Sequence, residues 1–112
     1  NPKKLLNLIK KIDTSKVKIN YDTGNSAHLG YHFNKEKIYF KYVKNIHLKD
    51  KTQKGLSVPL GSGKVNFKKF FLMLKKLKYK GHFSLQTARS KTGDHINEIL
   101  KNYNFIKRYY NV

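Results

Sequence analysis

The chain has 112 residues, 38% of them hydrophobic, which suffices for one small domain with its own core. Cysteine is absent, excluding disulfides, thiolate metal sites and a cysteine nucleophile, and no apolar run reaches the roughly 20 residues of a membrane span, so the reading is a soluble, cytoplasmic chain. Lys and Arg number 25 against 6 Asp and Glu, a formal +19, yet only Arg89 and Arg108 are arginines and the lysines run through every segment, so nucleic acid is not the expected partner.

Residues 2 to 12 place Leu5, Leu8, Ile9 and Ile12 at helical spacing behind Pro2, a residue suited to a first turn. Val17 to Tyr21 reads as a strand. Residues 34 to 44 set Ile38, Tyr39, Tyr42 and Val43 on one helical face with Asn34 as N-cap, and Asn45 to Leu48 follow as a second strand. A polar loop containing "PLGSG" leads to the clearest helix, 66 to 78, with Phe67, Phe70, Phe71, Leu74 and Leu77 at core spacing. "GHFSLQ" (81 to 86) is the third strand, and a fourth helix opens at Asp94.

Helix and strand thus alternate three times before a last helix, the layout of parallel strands joined by right-handed crossovers. In such α/β folds chemistry collects at the carboxyl ends of the strands, where Asp22, His47 and Gln86 all fall. A carboxylate with an imidazole is a common donor set for a divalent cation. Each residue also has a plainer reading: Asp22 as the cap of an Asx-type turn, His47 as a partly buried histidine satisfied by backbone.

"YDTGN" at 21 to 25, "NIHLKD" at 45 to 50, "SVPLGSGKVNF" at 57 to 67 and "GHFSLQTAR" at 81 to 89 together resemble the xylose-isomerase-like TIM-barrel superfamily. That superfamily holds sugar-phosphate isomerases and epimerases together with family 2 AP endonucleases. The resemblance implies a partial (β/α)8 barrel, about three parallel strands alternating with four helices, from the C-terminal part of the barrel. It implies a divalent metal (Mn, Mg, Co or Zn) with Asp22 and His47 as ligands. Asn25, Lys49 and Arg89 then line the substrate's side, a sugar or sugar phosphate. Lys49 and Asp50 read equally as a solvated ion pair, Arg89 as a surface residue, and "LGSG" as a tight turn before a helix.

Two departures bear on activity. The superfamily's last strand usually presents a glutamate that ligates metal and exchanges a proton, whereas this chain has Gln86, an amide with neither charge nor acid/base function near neutral pH. A complete barrel needs about 250 residues, so the partner glutamate of the earlier half is missing and the expected partner is that half or another copy of the chain. The readings left open are an isomerase/epimerase portion working by proton transfer alpha to a carbonyl, a catalytically inactive barrel half acting as an interaction module, and AP-site binding. The last lacks its D-x-x-H and D-x-H motifs.

Overall fold

A computed structural model describes residues 1–13 and 15–110. In chain order it comprises α1 (Pro2–Ile12), β1 (Ile19–Asp22), α2 (Thr23–His28), α3 (Phe33–Glu36), a 3-10 helix (Lys37–Tyr42), β2 (Val43–Leu48), β3 (Asp50–Lys51), β4 (Ser57–Val58), α4 (Phe67–Lys76), β5 (His82–Leu85) and α5 (His95–Lys107). Strands β1, β2 and β5 form one sheet in that order, parallel throughout, while β3 and β4 make a small antiparallel pair. The α/β architecture with three parallel strands is the one the sequence predicts.

The structure corrects the sequence reading in five places. The expected helix over 34–44 is a single α-turn followed by the 3-10 helix, and β2 begins at Val43. Its run "IYFKYV" is made of weak helix formers that favour strands, so the segment tightens and then extends. The cap there is His32, whose Nδ1 accepts the Asn34 N–H at 3.3 Å, and not Asn34 itself. β1 is shifted to 19–22, leaving Val17 exposed, and the turn expected after Asp22 is a helical segment, so the described residues hold five α-helices and not four. Leu77, expected in the core, is 43% exposed.

Other signals hold. Asn66 caps α4 by accepting from Lys69 N at 3.1 Å, and Phe67, Phe70, Phe71 and Leu74 are buried at the predicted spacing. Asp94 caps α5, accepting from Asn97 N at 3.1 Å.

One face of the sheet carries Tyr21, Ile46 and Leu48 into the core, where Phe70 and Phe71 are buried beside them. Tyr21 lies parallel to Phe70 with ring centroids 5.7 Å apart and tilts against Phe40 at 4.9 Å. Burying each such aromatic side chain contributes about 2–3 kcal/mol before entropy. Glu36 is enclosed in this layer and accepts hydrogen bonds from Tyr21 Oη (2.6 Å), Tyr39 Oη (3.1 Å) and Ser26 Oγ. Burial, reinforced by the Glu36 charge, pushes both tyrosines well above their ordinary pKa, so they stay protonated as donors.

The opposite face is polar. Asn45 Nδ2 donates to Asn20 Oδ1 at 2.9 Å, and Ser84 Oγ donates to Asn45 Oδ1 at 3.1 Å. The three strands are thus bridged by side chains as well as by backbone. A complete barrel of this type usually fills that inner face with Val, Ile and Leu.

Candidate functional site

Parallel register puts Asp22 opposite His47, and His47 opposite Ser84, in one row across the sheet. Adjacent strands lie about 4.8 Å apart and alternate residues share a face, so the side chains of this row stand together on the polar side. Gln86 follows Ser84 by two residues on the same face, and its N–H bonds to Leu48 O at 3.1 Å, extending the β2–β5 pairing past the end of β5. The three residues singled out from sequence therefore end three neighbouring strands. Asn25 and Arg89 are exposed beyond those ends, and Lys49 is half-buried between them.

Asp22 engages one of its two carboxylate oxygens. Its Oδ1 accepts the Asn25 N–H at 2.7 Å and caps α2, as the turn reading expected. Its Oδ2 makes no hydrogen bond among the described residues. The next residues fix the junction: Thr23 Oγ1 accepts from Lys49 N at 2.9 Å and donates to Lys49 O at 2.6 Å, tying the end of β1 to the end of β2. A side chain at Gly24 would press within 3.2 Å of the Lys49 backbone, so the glycine permits that approach. "DTG" is thus a cap, a clasp and a clearance in sequence.

His47 is half-buried, and Asn20 Nδ2 lies 3.2 Å from its Nε2 and 3.4 Å from its Nδ1. That amide, not a backbone carbonyl, is its neighbour. Asn20 was not singled out from sequence; its signal is its place two residues before Asp22 on the same strand face.

Asp50 is not solvated and makes no ion pair among the described residues. It is fully buried, and its carboxylate accepts N–H groups from Lys51 (2.9 Å), Gly61 (3.0 Å), Gly63 (2.9 Å) and Val65 (3.1 Å). A Cβ at Gly63 would collide with that carboxylate. The "LGSG" segment is accordingly a loop wrapped around an anion supplied by the chain itself, and its N–H groups are not free for a substrate phosphate.

Among the described residues no three His, Cys, Asp or Glu side chains come together to hold a metal ion. Asp22 Oδ2 and a His47 ring nitrogen are suitable donors, and the Gln86 carbonyl is a neutral third. These donors match part of a divalent-metal shell and do not complete one.

A three-stranded parallel sheet with helices on one face and polar strand ends defines a segment of a β/α barrel. The comparisons agree: the profile of the xylose isomerase-like TIM barrel family matches residues 1–109, and the chain belongs to that family. Among solved structures, a xylose isomerase-like TIM barrel protein from Mycobacterium smegmatis, crystallised in complex with magnesium, superposes with a TM-score of 0.74 at 22% identity. The match covers 97% of this chain and 39% of that one, so the chain spans well under half of that protein's length. No curated protein is a significant match. Among the described residues no helix is long and apolar enough to cross a membrane.

Proposed function

We propose that the chain supplies one side of a divalent-metal-dependent sugar or sugar-phosphate isomerase/epimerase site. The observation that carries this reading is the alignment of Asp22 and His47 on adjacent parallel strand ends, with one Asp22 oxygen unengaged among the described residues. In that role Asp22 and His47 are two metal ligands, and Gln86 offers a carbonyl oxygen to metal or substrate. Asn25, Lys49 and Arg89 meet hydroxyls and the anionic end of the substrate. The metal, when bound, would polarise a carbonyl and stabilise the enediolate. The proton-transferring carboxylate comes from outside these 112 residues, from the rest of a barrel or another copy, since Gln86 cannot exchange a proton.

A second reading, a binding module without catalysis, is favoured by Gln86 itself, because a shell with one carboxylate fewer holds its cation more weakly.

Calorimetric titration with Mn2+, on the chain and on Gln86→Glu, separates the two. One-to-one binding that tightens about tenfold in the variant supports the metal half-site. Absence of binding in both leaves Asp22 as a helix cap and favours the module.

A further inference from the structure

We propose a second site, at the amino ends of the strands, that takes small molecules carrying two or three linked phosphates. A cleft of about 340 Å3 opens where the 3-10 helix enters β2 and where α4 turns into β5. It lies at the far end of the sheet from Asp22, His47 and Gln86. Lys37, Lys41, Lys44, Lys78 and Lys80 line it, and no Asp or Glu among the described residues does. Phe40, Leu77 and Tyr79 form its apolar wall.

A lysine-rich chain presents lysines everywhere, so the argument rests on how these are placed. The turn after α4 is a Schellman motif: Tyr79 N bonds to Leu74 O and Lys78 N to Lys75 O, both at 3.0 Å. The left-handed position of that motif is usually glycine, yet here it is Lys78, with φ +51°. A side chain there costs on the order of 1 kcal/mol of backbone strain. Basic residues at a helix C-terminus complement its dipole, which accounts for Lys75 and Lys76 without a ligand. That account does not cover a lysine placed where it strains the backbone, or Lys37, Lys41, Lys44 and Lys80 on other elements. Gly81 closes the floor, since a side chain there would collide with the Tyr79 hydroxyl.

The cleft suits charge recognition more than base recognition. Lysine acts toward phosphate as a point charge, and several lysines around one cleft match linked phosphates better than one. Phe40 is buried and the half-buried Tyr79 ring packs on Phe83 with centroids 5.5 Å apart, so the wall offers no series of exposed aromatic faces for successive bases. The volume falls in the range of small-ligand sites.

The test uses the 112-residue chain, inorganic tripolyphosphate as probe and titration calorimetry at physiological salt. Expected are one-to-one binding tighter than that of inorganic phosphate, and a loss of about tenfold when Lys41, Lys78 and Lys80 are all changed to Gln. Changing the exposed Lys3, Lys91 and Lys101 to Gln removes the same charge and should alter affinity less than about twofold. Equal losses in both triple variants would reduce the effect to net charge and overturn the site. So would tighter binding of a single-stranded oligonucleotide that is lost in Lys69→Gln and Lys76→Gln, which line the adjoining cleft. Lys78→Gly gives opposite signs, a melting temperature higher by a few degrees and weaker tripolyphosphate binding. Unchanged binding in that variant would make Lys78 a helix cap alone and remove it from the site. ADP against pyrophosphate distinguishes a nucleotide ligand from an inorganic one within the same chemistry.

Discussion

The loops after β1 and β2 each begin beside an aspartate, and the two carboxylates are used in opposite ways. Asp50 is sealed from solvent and its oxygens collect four backbone N–H groups, one from Lys51 and three from the loop over 61–65. Asp22 stands half-exposed, accepts one N–H, and keeps an oxygen without a hydrogen bond among the described residues. Both belong to the sequence motifs that resemble the xylose isomerase-like TIM barrel family, so motif membership alone does not distinguish a ligand from a scaffold residue. What distinguishes them is how many donors the fold aims at each: Asp50 is saturated by the fold, and Asp22 keeps an oxygen that the described residues do not fill.

That contrast can be broken by substitution, and the largest effect falls on Asp50. Asp50→Ala leaves four N–H groups without their acceptor and should cost about 4 kcal/mol in urea unfolding, a large share of a small domain's stability. A loss below about 1 kcal/mol would mean that the loop holds its shape unaided. Thr23→Val keeps the shape of a buried side chain but orphans Lys49 N–H, with an expected cost of about 1–2 kcal/mol by the same measurement. Asp22→Asn should change stability by less than about 0.5 kcal/mol, because asparagine caps a helix as well as aspartate does. It should nevertheless abolish Mn2+ heats, so retained binding in Asp22→Asn would take the carboxylate out of the site.

The smallest effect is at Asp94, a fully exposed cap. The Asn97 N–H and side chain hold its carboxyl below the usual carboxylate range. A depressed pKa contributes stability that is present above the unfolded value, near 3.9, and lost as pH falls through the folded one. Circular dichroism of the chain against Asp94→Ala should therefore differ at pH 6 and converge under strong acid. A difference that persists in acid would assign the cap to something other than the charge.

The placement of the candidate residues was legible because parallel strands of predictable spacing bring their ends together. Asp22, His47 and Gln86 needed only the alternation of elements, and the α4 core needed only period 3.6 in "FKKFFLML". The stretch 37–48 misled because the mixture of aromatic and β-branched residues in "KIYFKYV" satisfies a helical period while favouring extended backbone, and the start of β2 was decided by pairing with Ile19. The burial of Asp50 was hidden for another reason. Three of its four partners lie 11 to 15 residues downstream in an irregular loop, where no periodicity reports them. The available signal was chemical: a rare acid in a basic chain, followed by closely spaced glycines at 61 and 63 that leave room for a carboxylate.

The ladder from Asn20 through Asn45 to Ser84 bears on how such a piece of barrel lives in water. An inner face of Val, Ile and Leu would have to be covered at once or would attract other chains. Here the side chains meet each other's hydrogen-bonding needs across the strands, and water can wet whatever is left. The exposed surface of the sheet is therefore compatible with solution, and whatever docks on it can leave again without stranding a greasy wall.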